Sequence, residues 1–270
     1  MLHTETGQLA AAELAIYLIL ILPVAFCAFK HSWQGALGWG YLFAFCTLRI
    51  VGSALQLRND SSGITSSSTS IISGIGLSPL MLSFVGILHE SNHYIRGSKP
   101  ALLTIIPALI FHIVVVGAMV LIILGYQSNQ NQGPALQKVG YILFVIIFLA
   151  VALLTSLSWR TTNRGNGPQK LLLAITLALP FLGVRVFYSL VSAFDHEINA
   201  YTGPIAYRIC LAVLMEFVMV IVFAVFGTMS RNLRAEEQLY STTGENASDH
   251  DVELVPEGGN RKRWLQARRV

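Results

Sequence analysis

Seven stretches of about 20 apolar residues, separated by short polar loops, constrain this chain more than any other feature. They fall at roughly residues 11–29, 34–57, 71–88, 101–126, 136–158, 171–194 and 204–229. In lipid a backbone N–H or C=O finds no water, so runs of this length are read as helices that satisfy their own hydrogen bonds. Only 12% of the 270 residues are charged, about half the share usual in soluble domains. That balance excludes a water-soluble domain, a disordered chain and a nucleic-acid-binding module. The fold class expected is all-α: a polytopic membrane protein with a seven-transmembrane-helix bundle over residues 1–230. The polar stretch 231–270 lacks apolar periodicity and is expected to be a disordered cytosolic tail.

The net charge of +4 resides in residues 1–230, because the tail carries seven basic and seven acidic residues. Lys30, Arg96, Lys99, Arg160, Arg164, Lys170, Arg231 and Arg234 fall on one side of the predicted helices; Arg58, Lys138 and Asp195-His196-Glu197 fall on the other. Positive charge collects on the cytosolic side, which puts the N-terminus outside and the C-terminus in the cytosol. The tripeptide Asn59-Asp60-Ser61 would then be a glycosylation sequon facing the lumen or exterior. Cys27, Cys46 and Cys210 all lie in apolar runs, which argues against a disulfide framework. Pro23, Pro79, Pro107 and Pro180 are expected to interrupt helices 1, 3, 4 and 6 and open space between them.

Ionisable residues inside lipid are costly and point to function. Six fall within the predicted helices: Glu13, Arg49, His112, Arg185, Arg208 and Glu216. At about 1.5 Å of rise per residue, all but His112 fall between the midplane and the outer surface. Phe181, Arg185, Tyr188 and Ser192 form one stripe of helix 6, and Arg208 lies two turns above Glu216 on nearly the same face of helix 7. Two readings of this layer compete. In one, Glu216 is an acid and its neighbours bind a ligand; in the other, an Arg–Glu pair locks helices together.

His89-Glu90-Ser91-Asn92-His93 matches the zinc-protease pattern H-E-x-x-H. The same side of the membrane offers His31 or Glu236 as a third ligand, neither in a recognisable motif, and the place at the end of helix 3 points to a chance match at a solvated, interfacial helix end. No metal, cofactor or phosphate-cradling loop is expected, so this chain alone would not drive transport with ATP. Nothing in the sequence sets an oligomeric state.

The segments Gly76-Leu-Ser-Pro-Leu80, Leu179-Pro-Phe-Leu-Gly-Val-Arg-Val-Phe-Tyr-Ser189 and Met215-Glu216 resemble a family of small fungal seven-helix membrane proteins. Over residues 10–230 the chain is also similar to the ascofuranone-type membrane-bound terpene cyclases of meroterpenoid pathways. A weaker likeness is to fungal lipid-translocating seven-helix proteins. The cyclase resemblance implies an enzyme that protonates the epoxide of a prenyl chain inside the bilayer, with the cation captured by an alkene or hydroxyl. It implies Glu216 as the acid. Glu13, Arg49, Phe181, Arg185, Tyr188 and Arg208 would contact the lipophilic substrate, and the endoplasmic reticulum would be the site of action. The alternatives from other classes are a transporter or lipid translocator, and a receptor-like protein without enzymatic activity.

Overall fold

The computed structural model describes residues 5–31, 33–62, 76–96, 105–128, 133–161, 166–194 and 205–230, all within the unit Met1–Arg231. The tail beyond Ser230 and the Asp195-His196-Glu197 loop lie outside the described residues. Among the described residues the helices in order are α1 (Glu5–Lys30), α2 (Trp33–Ser62), α3 (Leu77–Arg96), α4 (Ile105–Gln127), α5 (Gly133–Thr161), α6 (Asn166–Phe194) and α7 (Ile205–Met229). No strand occurs among the described residues. The all-helical expectation holds, and the chain is an integral membrane protein on the strength of six helices long and apolar enough to cross a bilayer.

The helix outside that set is α3. Its apolar part, Leu77 to Leu88, gives way to His-Glu-Ser-Asn-His and then to Arg96. Burial explains why so polar a helix is tolerated. Every residue from Leu77 to Leu88 is buried, and α3 packs on α2, α4, α5 and α6. The other six helices carry large exposed apolar side chains, such as Leu109, Ile113, Val116 and Val120 on α4, and so supply the surface that lipid requires. Shielded by them, α3 can hold serine, glycine and charge.

The helices α1, α2, α3, α6 and α7 pack each on the next, and α7 returns to α1, closing a ring. The α4–α5 hairpin lies against α3 and α6. Close approach of α2 and α3 depends on two glycines. A Cβ at Gly38 would meet the Ile87 nitrogen at 2.6 Å, and one at Gly86 would run into the Gly38 backbone. Only the absence of both side chains allows this contact.

Two sequence expectations change. Pro79 and Pro107 fall in the first turns of α3 and α4, where the missing N–H has no intrahelical partner to lose. Only Pro23 and Pro180 stand inside helices. Asn59 is half-buried within the last turns of α2 and not in a loop. The neighbouring Asp60 carboxylate occupies the space that a Cβ on Gly7 of α1 would need.

Candidate functional site

Glu216 on α7 is 1% exposed, and a lone carboxylate there would be prohibitively costly. It is not alone. Its Oε1 accepts from Arg185 Nε of α6 at 2.7 Å. Its Oε2 is ion-paired with Arg49 Nη2 of α2, without the alignment of a hydrogen bond. Arg185 Nη1 also donates to the Ser189 hydroxyl one turn on, which donates in turn to the Arg185 carbonyl at 3.0 Å. The Arg49 guanidinium lies 5.6 Å from the centre of the Phe45 ring and passes Gly76 just before α3. Three helices are thus tied by one carboxylate. Both of its oxygens face guanidinium groups.

Glu13 on α1 is also buried, at 4% exposure, but is held far less firmly. Its Oε2 accepts from the Ser53 hydroxyl at 3.3 Å, a long bond. Its Oε1 has no partner, and neither do the Tyr17 hydroxyl and Arg49 Nε. Tyr17 stacks between Phe45, at 5.9 Å edge-on, and Phe217, at 4.9 Å. Both Glu13 and Glu216 act electrostatically on Tyr17 and Arg49, which places all four in one neighbourhood. Buried polar atoms are nearly always bonded, so three orphans in one layer require an explanation.

The structure therefore brings Glu13, Arg49, Arg185 and Glu216 together. Arg208 stays out of that cluster: its Nη2 donates to Gln56 Oε1 of α2 at 3.0 Å. A π turn, Ile209–Val213, separates it from Glu216. Eight residues of plain α-helix would leave the two roughly 80° apart about the axis. The i→i+5 bonding of the π turn winds less per residue and swings Arg208 back towards the Glu216 face. Tyr188 is buried within electrostatic range of Arg185 and Arg208. Phe181, one turn inward from Arg185, is half-buried. The ring of His112, on α4, lies 5.3 Å from that of Tyr41, away from the cluster.

The H-E-x-x-H segment is not a solvated helix end. Glu90, Ser91 and Asn92 are fully buried, and His89 and His93 are half-buried. The Glu90 carboxylate enters the space left by Gly35, where a Cβ would collide with it. Its Oε2 accepts from Trp39 Nε1 at 2.9 Å, and its Oε1 is 2.8 Å from His31 Nδ1. Among the described residues no three of His, Cys, Asp and Glu gather as a metal would need.

His31 has a second bond, from Nε2 to the Gly227 carbonyl at 3.1 Å. A carbonyl only accepts, so Nε2 carries a hydrogen, and one further proton lies between Nδ1 and Glu90. Burial alone pushes the His31 pKa down, but the Glu90 carboxylate and the Gly227 carbonyl outweigh it and raise the value. The folded protein thus holds this proton more tightly than the unfolded chain. The resulting stabilisation is fully present below about pH 6.5 and fades as pH rises through the folded-state value. Unfolding measured between pH 6 and 9 is expected to show wild type losing stability and Glu90→Gln giving a shallower slope. Equal slopes would remove His31 from the account.

Sequence reasoning missed Trp39, Tyr17, Ser53, Gln56 and Ser189, and offered His31 only as a possible third metal ligand. For α2 a signal was present: Arg49, Ser53, Gln56 and Asp60 fall at i, i+4, i+7 and i+11, one polar stripe on an otherwise apolar helix. The bond from Trp39 to Glu90 left no such trace.

Lipid-facing apolar helices around buried, paired charge define an all-helical integral membrane protein whose polar chemistry lies inside the bundle. The chain belongs to the DUF7702 family, a domain of unknown function, whose family model matches residues 3–233. No curated protein and no solved structure matches it.

Proposed function

We propose that the chain is a membrane-bound cyclase of an epoxidised prenyl substrate, with Glu13 as its acid and Glu216 as the anchor of the arginines. The observation that carries this reading is the unpartnered Glu13 Oε1, buried beside an unpartnered Tyr17 hydroxyl and Arg49 Nε. Such a carboxyl has one oxygen available to hold and deliver a proton. Glu13 would protonate the epoxide oxygen as its C–O bond breaks. An alkene or hydroxyl of the substrate would close the ring on the resulting cation, and the proton lost at the end would return to the Glu13 carboxylate. Tyr17, Phe45 and Phe217 supply aromatic faces beside the site, which favour cationic charge. A substrate drawn from the bilayer needs no soluble domain.

The same reading takes α3 as a seventh crossing, shielded from lipid by its neighbours. It puts the N-terminus in the lumen and the C-terminus in the cytosol, in the endoplasmic reticulum of a meroterpenoid-producing fungus. Microsomes containing the protein, supplied with epoxyfarnesylated aromatic substrates, are expected to form a cyclised product. Glu13→Gln should abolish product while leaving the amount of folded protein unchanged. Product undiminished in Glu13→Gln would remove Glu13 from the role. No product from folded wild type, together with stabilisation by a lipophilic ligand, would favour a transport or receptor role.

A further inference from the structure

The buried layers hold three arginines, Arg49, Arg185 and Arg208, against Glu13 and Glu216, with a third carboxylate, Asp60, one turn beyond Gln56 on α2 and against Gly7 of α1. Arg49 and Arg185 share Glu216. Arg208 is the cation left over. It is half-buried, and among the described residues its bond is to a neutral amide, Gln56 Oε1, and to no carboxylate. A guanidinium offers five N–H donors in a fork that suits two oxygens of an oxyanion, and one amide oxygen takes a single donor. The donors that one amide oxygen leaves over on a half-buried guanidinium favour the arrival of an anion.

Two further features mark this position. The π turn Ile209–Val213 is a departure from regular helix, and its effect is to turn Arg208 towards the face that carries Glu216. On α2, Gln56 continues the stripe that begins at Arg49 and passes Ser53. From Gln56 the polar track therefore leads inward to the Ser53–Glu13 contact within about one helical turn, roughly 5 Å. A ligand whose head rests on Arg208 would extend its apolar part beside this track, against the Tyr17 and Phe217 rings, and bring it to the unpartnered Glu13 Oε1 and Tyr17 hydroxyl.

We propose that Arg208 and Gln56 bind the oxyanion head, a carboxylate, phenolate or phosphate, of an amphiphile whose apolar part lies among α1, α2 and α7. This rests on the reading of a lipophilic ligand at the Glu13 layer, but not on cyclisation. The oxyanion could belong to a prenylated acid or to a membrane phospholipid, and the two are separable by experiment.

The full chain would be placed in nanodiscs of zwitterionic phosphatidylcholine and titrated with a farnesylated benzoic acid or with its methyl ester. Binding is read from the shift of the unfolding midpoint. The acid is expected to bind about tenfold tighter than the ester in wild type, and Arg208→Gln should abolish that preference by weakening the acid to the level of the ester. Arg208→Lys, which keeps the charge and loses the fork, should retain part of the preference and controls for folding. In discs containing phosphatidic acid, stabilisation that depends on Arg208 and suppresses the acid's advantage would identify lipid phosphate as the natural oxyanion. Absence of that stabilisation, with the acid's preference intact, would identify the prenylated acid. Equal binding of acid and ester in wild type with no phosphatidic acid effect would overturn the proposal, as would a preference that survives Arg208→Gln. Because no product is measured, a failed cyclisation assay leaves this result readable.

Discussion

Glu216→Gln is expected to cost about 3–5 kcal/mol of stability, because it leaves two buried guanidinium groups facing an amide where a carboxylate had been. Thermal unfolding in mild detergent would show it as a large fall in midpoint. Glu216→Met made together with Arg49→Met and Arg185→Met is expected to lie close to wild type, since replacing a whole buried ionic group by apolar side chains is often neutral or better. Glu13→Gln makes the informative contrast. It gives up a single long bond to Ser53 and should cost about 1 kcal/mol or less. One carboxylate therefore holds the bundle together, and the other is free to act. Equal losses from the two substitutions would contradict this division of labour.

The second large effect lies at the α2–α3 contact. Gly86→Val would drive a branched side chain into the Gly38 backbone. Backbone cannot step aside as a flexible side chain can, so the cost should exceed the about 1–3 kcal/mol of ordinary overpacking. We expect little folded protein, read as loss of a monodisperse peak on size-exclusion chromatography. The controls are Gly40→Ala and Gly117→Ala, where a Cβ would meet nothing within 4 Å. These should be neutral, or stabilising by up to about 1 kcal/mol through better helix propensity. Normal folding of Gly86→Val would mean that α2 and α3 are not in backbone contact.

Much of the architecture was readable because lipid is an exacting solvent. A helix that faces it must be apolar over about 20 residues, and α1, α2, α4, α5, α6 and α7 meet that demand. The same demand explains why α3 is harder to read. Enclosed by its neighbours, it is free of the apolar requirement, and its polar end looks like a solvated terminus. Depth along each helix was enough to place Arg49, Arg185 and Glu216 in one layer, since rise per residue is nearly constant. Depth says nothing of pairing. That Glu216 takes both arginines while Glu13 takes only Ser53 depends on how α1, α2, α6 and α7 are turned about their axes. The Glu90 site was illegible for a related reason: His31, Trp39 and Gly227 belong to distant parts of the chain that meet only through packing.

The spread of the ionic cluster along the chain also sets a problem of timing. The ribosome delivers α1 and α2 early and α7 last, so Arg49 enters the bilayer well before the carboxylate it will keep. At about 5–20 residues per second the wait is on the order of ten seconds or more. Glu13, already synthesised on the preceding helix and close to Arg49 in the finished fold, is an acidic neighbour at hand during that interval. On this view the first helical hairpin is inserted as an internally neutral unit and gives up its provisional counter-charge when α7 arrives, which leaves Glu13 with the free oxygen seen in the mature protein.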